Sequence, residues 1–343
     1  MRSLFDKKDK WKNFGGNINI YADLKKSDIS KLAAEKDIHS IQFYEFKTPN
    51  KNTWETLNSF FKKYPKIGLT IFWYDETNWD FLELIPSVKD LSLKSYLTKD
   101  FSPITKYVDL EQLHLGETKS IAVDVSFINE FQNLKVLSID GMKKGVHTAE
   151  HLKKLWSLNL RGVKLKNLDF ISNLENLRLL KLMFGSYEDL SSLNKLTKLE
   201  YLGISRTRKI DNYEFLSGLK NLKYLHFEGM SRMEKVPDLS GLSSLKKIQI
   251  ENLSKLIDIL TVSEVKTLEE FFLSFPENFK ASQRDLLIKQ AIDISLELPN
   301  LRMSSVLHWE GYKKLNELIK KGVKKSSVSE SLWNQNYQGG WTL

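Results

Sequence analysis

The sequence predicts an α/β solenoid: a stack of short coils, each giving one strand to a parallel sheet and returning through a tight, mostly non-α segment. Three observations predict it. A hexamer of the form apolar-x-x-apolar-x-apolar recurs along the chain. Its spacing is nearly constant. The apolar residues ahead of each hexamer step back in threes.

The last apolar residue of the hexamer falls at Ile71, Leu93, Leu115, Ile139, Leu160, Leu182, Ile204, Phe227, Ile250 and Leu273, with gaps of 21 to 24 residues. Looser copies end at Ile20, Phe43 and Met303, so about thirteen coils are expected. Alternate residues of a strand share a face. The last two apolar residues of each hexamer therefore point inward and the residues beside them point outward. No coil can bury its leucines alone, and stacked neighbours must cover them.

Stepping back by threes from Leu177 meets Leu174, Ile171 and Leu168; from Leu199 it meets Leu196, Leu193 and Leu190. Leu134, Leu222 and Leu245 are preceded in the same way. A period of 3.0 predicts 3₁₀ or extended return segments rather than α-helix. Pro237 in "VPDLSGL" agrees, because it would break a helix interior.

The ends differ. "WETLNSFFKKY", with Asn52 and Glu55 as a capping box, predicts a true helix closing before Pro65. That helix accounts for the wider gap between Phe43 and Ile71. After Leu273, "SQRDLLIKQAI" and "WEGYKKLNELIKKG" predict helices, the second with Leu315, Leu318 and Ile319 on one face and Gly322 near its end. Residues 1–303 are read as the solenoid, with an N-terminal cap near 1–15. Residues 304–343 are read as a helical C-terminal cap. Its tail carries Trp333, Tyr337 and Trp341, which are expected to cover the open end of the stack.

By these hexamers the chain resembles the leucine-rich repeat family over residues 16–303, in the short 22-residue subclass known from bacterial internalins and phosphatase-regulator proteins. The resemblance implies a horseshoe with the parallel sheet on its concave face and the return segments on its convex face. One departure stands out. The family usually carries Asn or Cys three residues after the last strand leucine; here those places hold Thr118, Met142, Val163, Gly185, Thr207, Met230 and Leu253. Polar groups in these turns must be satisfied in another way.

Composition narrows the function. The 343 residues are 41% apolar and 28% charged, as in a globular protein, and no run of about 18 apolar residues suggests a membrane span. The start, "MRSLFDKKDKWKNF", lacks the apolar centre of a secretory signal. The absence of cysteine excludes disulfides, Cys-ligated metal and a thiol nucleophile. A reducing cytoplasm is the expected compartment. The net charge of +9 raises nucleic acid as a partner. Much of the excess, however, sits in "RSLFDKKDKWK" and "YKKLNELIKKGVKK", while the middle alternates Lys with Glu and Asp.

One stretch carries catalytic spacing. His147-Thr-Ala-Glu150-His151 matches His-x-x-Glu-His, which on an α-helix would present two zinc ligands on one face. The period of three argues against it: Val146, Ala149 and Leu152 take the inward places and leave His147, Glu150 and His151 outside. No Gly-x-Ser-x-Gly and no phosphate-cradling glycine loop occurs. No catalytic residue, metal or cofactor is assigned.

The repeat instead offers a surface. The outward strand positions of the middle coils and their neighbours gather Trp156, Asn159, Arg161, Lys181, Met183, Phe184, Tyr201, Tyr224, His226 and Glu228. Trp, Tyr and Arg are over-represented in protein interfaces. "FWYDETNW" adds Phe72, Trp73 and Tyr74 nearer the start. Trp156, Asn159, Arg161, Lys181, Met183, Tyr201, Tyr224, His226 and Glu228 are the expected partner-binding set, with Arg161, Tyr201 and Tyr224 as anchors. The expected function is a non-enzymatic protein-protein interaction module without a membrane role. The resemblance extends to bacterial immunity proteins that block a cognate toxin, so the partner is expected to be a toxin or another folded protein. The alternatives are nucleic-acid binding through the basic surface and a metal-dependent enzyme at His147 and His151.

Overall fold

The computed structural model describes residues 9–106 and 109–326. Contacts divide the chain into two units, Met1–Leu155 and Trp156–Leu343.

In the first unit, β1 (Trp11–Phe14) and β2 (Asn17–Ile20) form an antiparallel hairpin. Its turn needs Gly16, at φ +91°, because a Cβ there would lie 2.1 Å from the Asp37 carbonyl oxygen. From β2 onward the strands pair in parallel and in chain order: β3 (Ser40–Phe43), β4 (Gly68–Trp73), β5 (Asp90–Ser95), β6 (Gln112–Leu115) and β7 (Val136–Asp140). The hexamer ends align across the ladder: Phe43 with Ile71, Leu93, Leu115 and Ile139 in succession.

Among the described residues, two α-helices lie in this unit, α1 (Ile29–Leu32) and α2 (Lys51–Lys63). α2 buries Trp54, Leu57, Phe60 and Phe61 and ends before Pro65, as expected. Its N-cap is Asn50, however, not the expected box at Asn52 and Glu55. Asn50 Oδ1 accepts the Thr53 N–H at 2.9 Å. The preceding segment decides this: Asp23 Oδ1 accepts both the Asn50 N–H and the Thr53 hydroxyl, each at 2.8 Å, so Asn50 is fixed in the extended conformation of a cap.

In the second unit, β8 (Ser157–Arg161), β9 (Leu179–Met183), β10 (Tyr201–Ser205), β11 (Tyr224–Glu228), β12 (Lys247–Glu251) and β13 (Glu270–Ser274) pair in parallel. Leu160, Leu182, Ile204, Phe227, Ile250 and Leu273 again align. Every expected strand mark, from Ile20 to Met303, falls within a strand. α3 (Ala281–Glu297) intervenes before β14 (Met303–Ser304). The sheet then continues through β15 (Lys324–Lys325), inside the segment read as a purely helical cap.

The last expected helix is shorter than its sequence pattern: α4 covers only Leu315–Lys320. Gly311 has φ +90°, outside the helical region, so the helix cannot begin near Trp309. Of its apolar stripe Leu318 is buried and Ile319 is exposed. The segment 1–8 of the expected N-terminal cap and the tail with Trp333, Tyr337 and Trp341 lie outside the described residues.

The period of three is a hydrogen-bond pattern. In the coil that leads to β9, the Ile171 N–H donates to Leu168 O at 3.0 Å; Leu174 donates to Ile171, and Leu177 to Leu174, each at 2.9 Å. The next coil repeats this with Leu190, Leu193, Leu196 and Leu199. The buried residues are thus also the 3₁₀ donors, as the spacing requires. In the Pro237 coil, no helix forms between Glu228 and Lys247, which fits the extended alternative.

Turn polarity is resolved without an Asn ladder. The Thr207 hydroxyl donates to Leu182 O and Ser205 O, both at 3.1 Å. Ahead of the return segments, Asp100, Asp124, Asp189, Asn212, Asp238 and Asp258 each accept the N–H two residues on, at 2.7 to 2.9 Å. Where Gly185 leaves the inward column empty, the buried ring of Tyr187 fills it; a Cβ on Gly185 would meet that ring at 2.7 Å.

Candidate functional site

The outward side chains of β8–β12 form three rows set by strand register. The first runs Ser157, Leu179, Tyr201, Tyr224, Lys247; the second Asn159, Lys181, Gly203, His226, Gln249; the third Arg161, Met183, Ser205, Glu228, Glu251. Neighbouring strands stand about 4.8 Å apart, so residues adjacent in a row are within side-chain reach of each other. Every expected site residue but one lies in these rows. The exception, Trp156, precedes β8 and packs against the cluster of Leu179, Tyr201 and Tyr224.

The two tyrosines are not the exposed anchors that their positions suggest. Tyr201 and Tyr224 are 8% and 6% exposed. Tyr201 folds along its own strand: a Cβ on Gly203 would stand 3.0 Å from its ring. The glycine makes room for the ring, and Trp156 and Leu179 close the sides. Burial and the nearby Glu251 carboxylate push the Tyr201 hydroxyl well above the ordinary tyrosine value, so it stays protonated. Asn159 is likewise buried. Trp156, Arg161, Lys181, Met183, His226 and Glu228 are partly exposed.

Around this floor the charges are arranged in pairs. Lys181 Nζ sits 5.7 Å from the Tyr201 ring centre, and burial lowers its pKa below the usual lysine value. His226 Nε2 lies 2.9 Å from Glu251 Oε1, and the Gln249 amide donates to the same oxygen. Burial alone would raise Glu251; those two hydrogen bonds and the His226 and Lys247 charges overcome it and hold the carboxyl below its usual range. Glu228 accepts the Ser205 hydroxyl at 2.5 Å and faces Arg206 Nη2 at 3.2 Å.

At the corner that follows each of β7 to β12 the backbone turns left-handed. Gly141, Gly162 and Gly229 occupy it in three coils and Asn252 in a fourth, at φ +55° to +78°. In two adjacent coils the corner holds Phe184 and Arg206, at φ +54° and +48°. A bulky side chain in this region costs about 1–3 kcal/mol. Phe184 is exposed, with the Arg161 and Arg206 guanidinium carbons 5.0 Å and 5.5 Å from its ring centre. By its place beside Met183 in the sequence, Phe184 groups with the outward strand positions. The signal that it is a corner was present: it aligns with glycine in three other coils.

The first unit carries its own exposed aromatics. Tyr44 stacks on Phe72 at 4.8 Å and Tyr74 on Tyr96 at 5.3 Å, with Lys94 over Phe72. Of the expected trio Phe72, Trp73 and Tyr74, Trp73 is buried because it points to the core side of β4.

The His147 stretch is a 3₁₀ segment, Val146–His151. Val146, Ala149 and Leu152 are buried, while His147 and His151 are exposed, as the period predicted. Among the described residues no group of three His, Asp or Glu side chains is placed to hold a metal ion. No described helix is long and apolar enough to cross a membrane.

Comparison with solved structures identifies the architecture as that of leucine-rich repeat proteins. A leucine-rich repeat protein of Leptospira interrogans superposes with a TM-score of 0.57 at 20% identity, over 82% of this chain and 70% of that one. The plant peptide hormone receptor RGFR1 in complex with RGF2 superposes at 0.51 and 14% identity, over 93% of this chain and 52% of that one. An internalin, InlF, of Listeria monocytogenes gives 0.47 at 18% identity, over 81% and 90%. No family model matches the chain, and no curated protein matches it.

Proposed function

We propose that this leucine-rich repeat chain is a non-enzymatic protein-binding module whose outward face on β8–β11 grips a folded partner. The observation that carries this reading is the floor of Trp156, Leu179, Tyr201 and Tyr224 ringed by Arg161, Lys181, Met183, His226 and Glu228. A face whose rings are already packed loses little side-chain freedom on binding, so less ordering opposes association. Tyr201, Tyr224 and Asn159 act as the floor. Trp156, Arg161, Lys181, Met183, His226 and Glu228 make the contacts. A fold neighbour, RGFR1, is described in complex with RGF2, which supports a binding role for such a scaffold.

Within that class we place the chain as an inhibitor or immunity protein for a bacterial toxin acting in the cytoplasm. The cysteine-free composition suits a reducing compartment. Nucleic acid fits this face poorly, because carboxylates are set among its bases, His226 with Glu251 and Lys247 with Glu270.

Pull-down from the source cell followed by titration of the captured partner tests the reading. Trp156→Ala and Arg161→Ala should each weaken binding by about 2 kcal/mol. Lys195→Ala and Lys220→Ala, on the return segments, should change it by under about 0.5 kcal/mol. Capture of nucleic acid with a steep salt dependence, or loss only with the lysine pair, would overturn it.

A further inference from the structure

We propose that the corner groove beside Phe184 is a second binding site, one that takes an acidic, Asp- and Glu-rich segment of a protein partner. The groove encloses about 720 Å³ between successive corners of the second unit and is lined by Lys164, Phe184, Arg206, Arg208, Lys209 and Ser231. That volume lies in the range of pockets that hold extended ligands. None of the residues of the strand face lines it, although Arg161 stands at its rim against Phe184.

Three independent features point to an anionic occupant. The first is charge. Lys164, Arg206, Arg208 and Lys209 line the groove, and the carboxylates paired with these four are Glu228 on Arg206 and Glu188 on Lys209. Lys164 and Arg208 pair with no carboxylate among the described residues. The second is backbone. The corner is left-handed in each of these coils and glycine occupies it at Gly141, Gly162 and Gly229, yet two adjacent corners that line this groove hold Phe184 and Arg206. Strained side chains of this kind cluster at binding sites. The third is arrangement. Phe184 lies within 5.0 Å and 5.5 Å of two guanidinium carbons, which fixes planar, five-donor groups at the mouth of the groove. Arginine held in this way matches carboxylates bidentately with little ordering left to do.

A peptide segment is favoured over nucleic acid by scale and by the interspersed carboxylates. Glu188 and Glu228 pair with two of the lining bases and would repel the regularly spaced phosphates of a nucleic-acid backbone, whereas a peptide can place its acidic side chains between them.

The test is fluorescence anisotropy on the full chain at about 0.15 M salt, with a labelled ten-residue peptide of alternating Asp and Glu. The wild type should bind it. Arg206→Gln, and the double variant Lys164→Gln with Arg208→Gln, should each weaken binding by about tenfold or more. Lys195→Gln with Lys220→Gln should leave it unchanged. Phe184→Gly should weaken binding while its thermal midpoint equals or exceeds that of the wild type, a result that a purely structural role for Phe184 would not give. Trp156→Ala and Lys181→Ala should leave peptide binding intact, so this site and the strand face can fail separately. No binding by the wild type, equal losses in the control pair, or a single-stranded DNA of equal charge binding more tightly and displacing the peptide would each overturn the proposal.

Discussion

Lys247 Nζ lies 3.1 Å from Glu270 Oε1, at register partners on β12 and β13, with side chains only 7% and 0% exposed. The Ser326 hydroxyl donates to the same oxygen at 2.6 Å. Burial lowers the Lys247 pKa, and Glu270 offsets part of that loss. A buried pair adds little net stability, but breaking one strands a charge. Lys247→Met should therefore cost about 3–5 kcal/mol of unfolding free energy. Lys247→Met with Glu270→Leu should recover most of it. Urea denaturation of both variants measures the difference.

Asp90 and His114 make a second prediction, one of pH. Asp90 Oδ1 stands 3.8 Å from His114 Nε2, each side chain about a quarter exposed. Burial raises Asp90 to about 6, and burial with the nearby Lys94 charge lowers His114 to about 4. Asp90, with a raised folded pKa, contributes stability that is lost as pH rises toward 6. His114, with a lowered one, contributes stability that is lost as pH falls toward 4. Between those values the folded pair and the unfolded pair each hold one proton, on Asp90 and on His114 respectively, so their joint contribution is flat. Asp90→Asn should unmask the histidine: stability should then rise by about 1–2 kcal/mol from pH 4 to 6.5. A flat curve in that variant would refute the assignment.

The acceptors that open the return segments predict acid sensitivity. Asp124, Asp189 and Asp238 are held below the usual carboxylate value, chiefly by the N–H groups of Ser126, Ser191 and Ser240. A depressed folded pKa gives stability that is present above the unfolded value and lost as pH falls through the folded one. Substituting all three with Asn keeps the acceptor and removes the charge, so the fall in stability below about pH 4 should become shallower. Asp189→Ala, which removes the acceptor, should cost about 1 kcal/mol at neutral pH.

Gly203→Ala tests the floor of the face. Its methyl would press on the Tyr201 ring at 3.0 Å. Displacing the ring should cost about 1–3 kcal/mol and raise tyrosine accessibility to solvent quenchers.

The repeat was legible because burial sets it: Leu160 and Leu182 must be apolar wherever the stack exists, and spacing alone reveals the register. The rows on the outward face followed from the same register. Their exposure did not. Whether Tyr201 stands up or lies flat depends on Gly203 two residues on and on Trp156 in another coil, which no local pattern records. Asn50 outcompeted Asn52 as a cap through Asp23, which is 27 residues away. The Asx acceptors were missed because a lone Asp in a turn looks like any solvated carboxylate until its N–H partner is seen.

The hydrogen bonding of the return segments has a consequence for how such a chain can change length. Leu190, Leu193, Leu196 and Leu199 bond in series within one coil, and the strand that follows bonds only to its immediate neighbours. Removing one or two residues from the series breaks burial and hydrogen bonding together. Excising a whole period, such as residues 184–205, rejoins equivalent backbone points and leaves no donor stranded. Recombination between coding segments of adjacent coils would therefore yield foldable chains only in steps of a full coil, and binding surface could be gained or lost in the same increments.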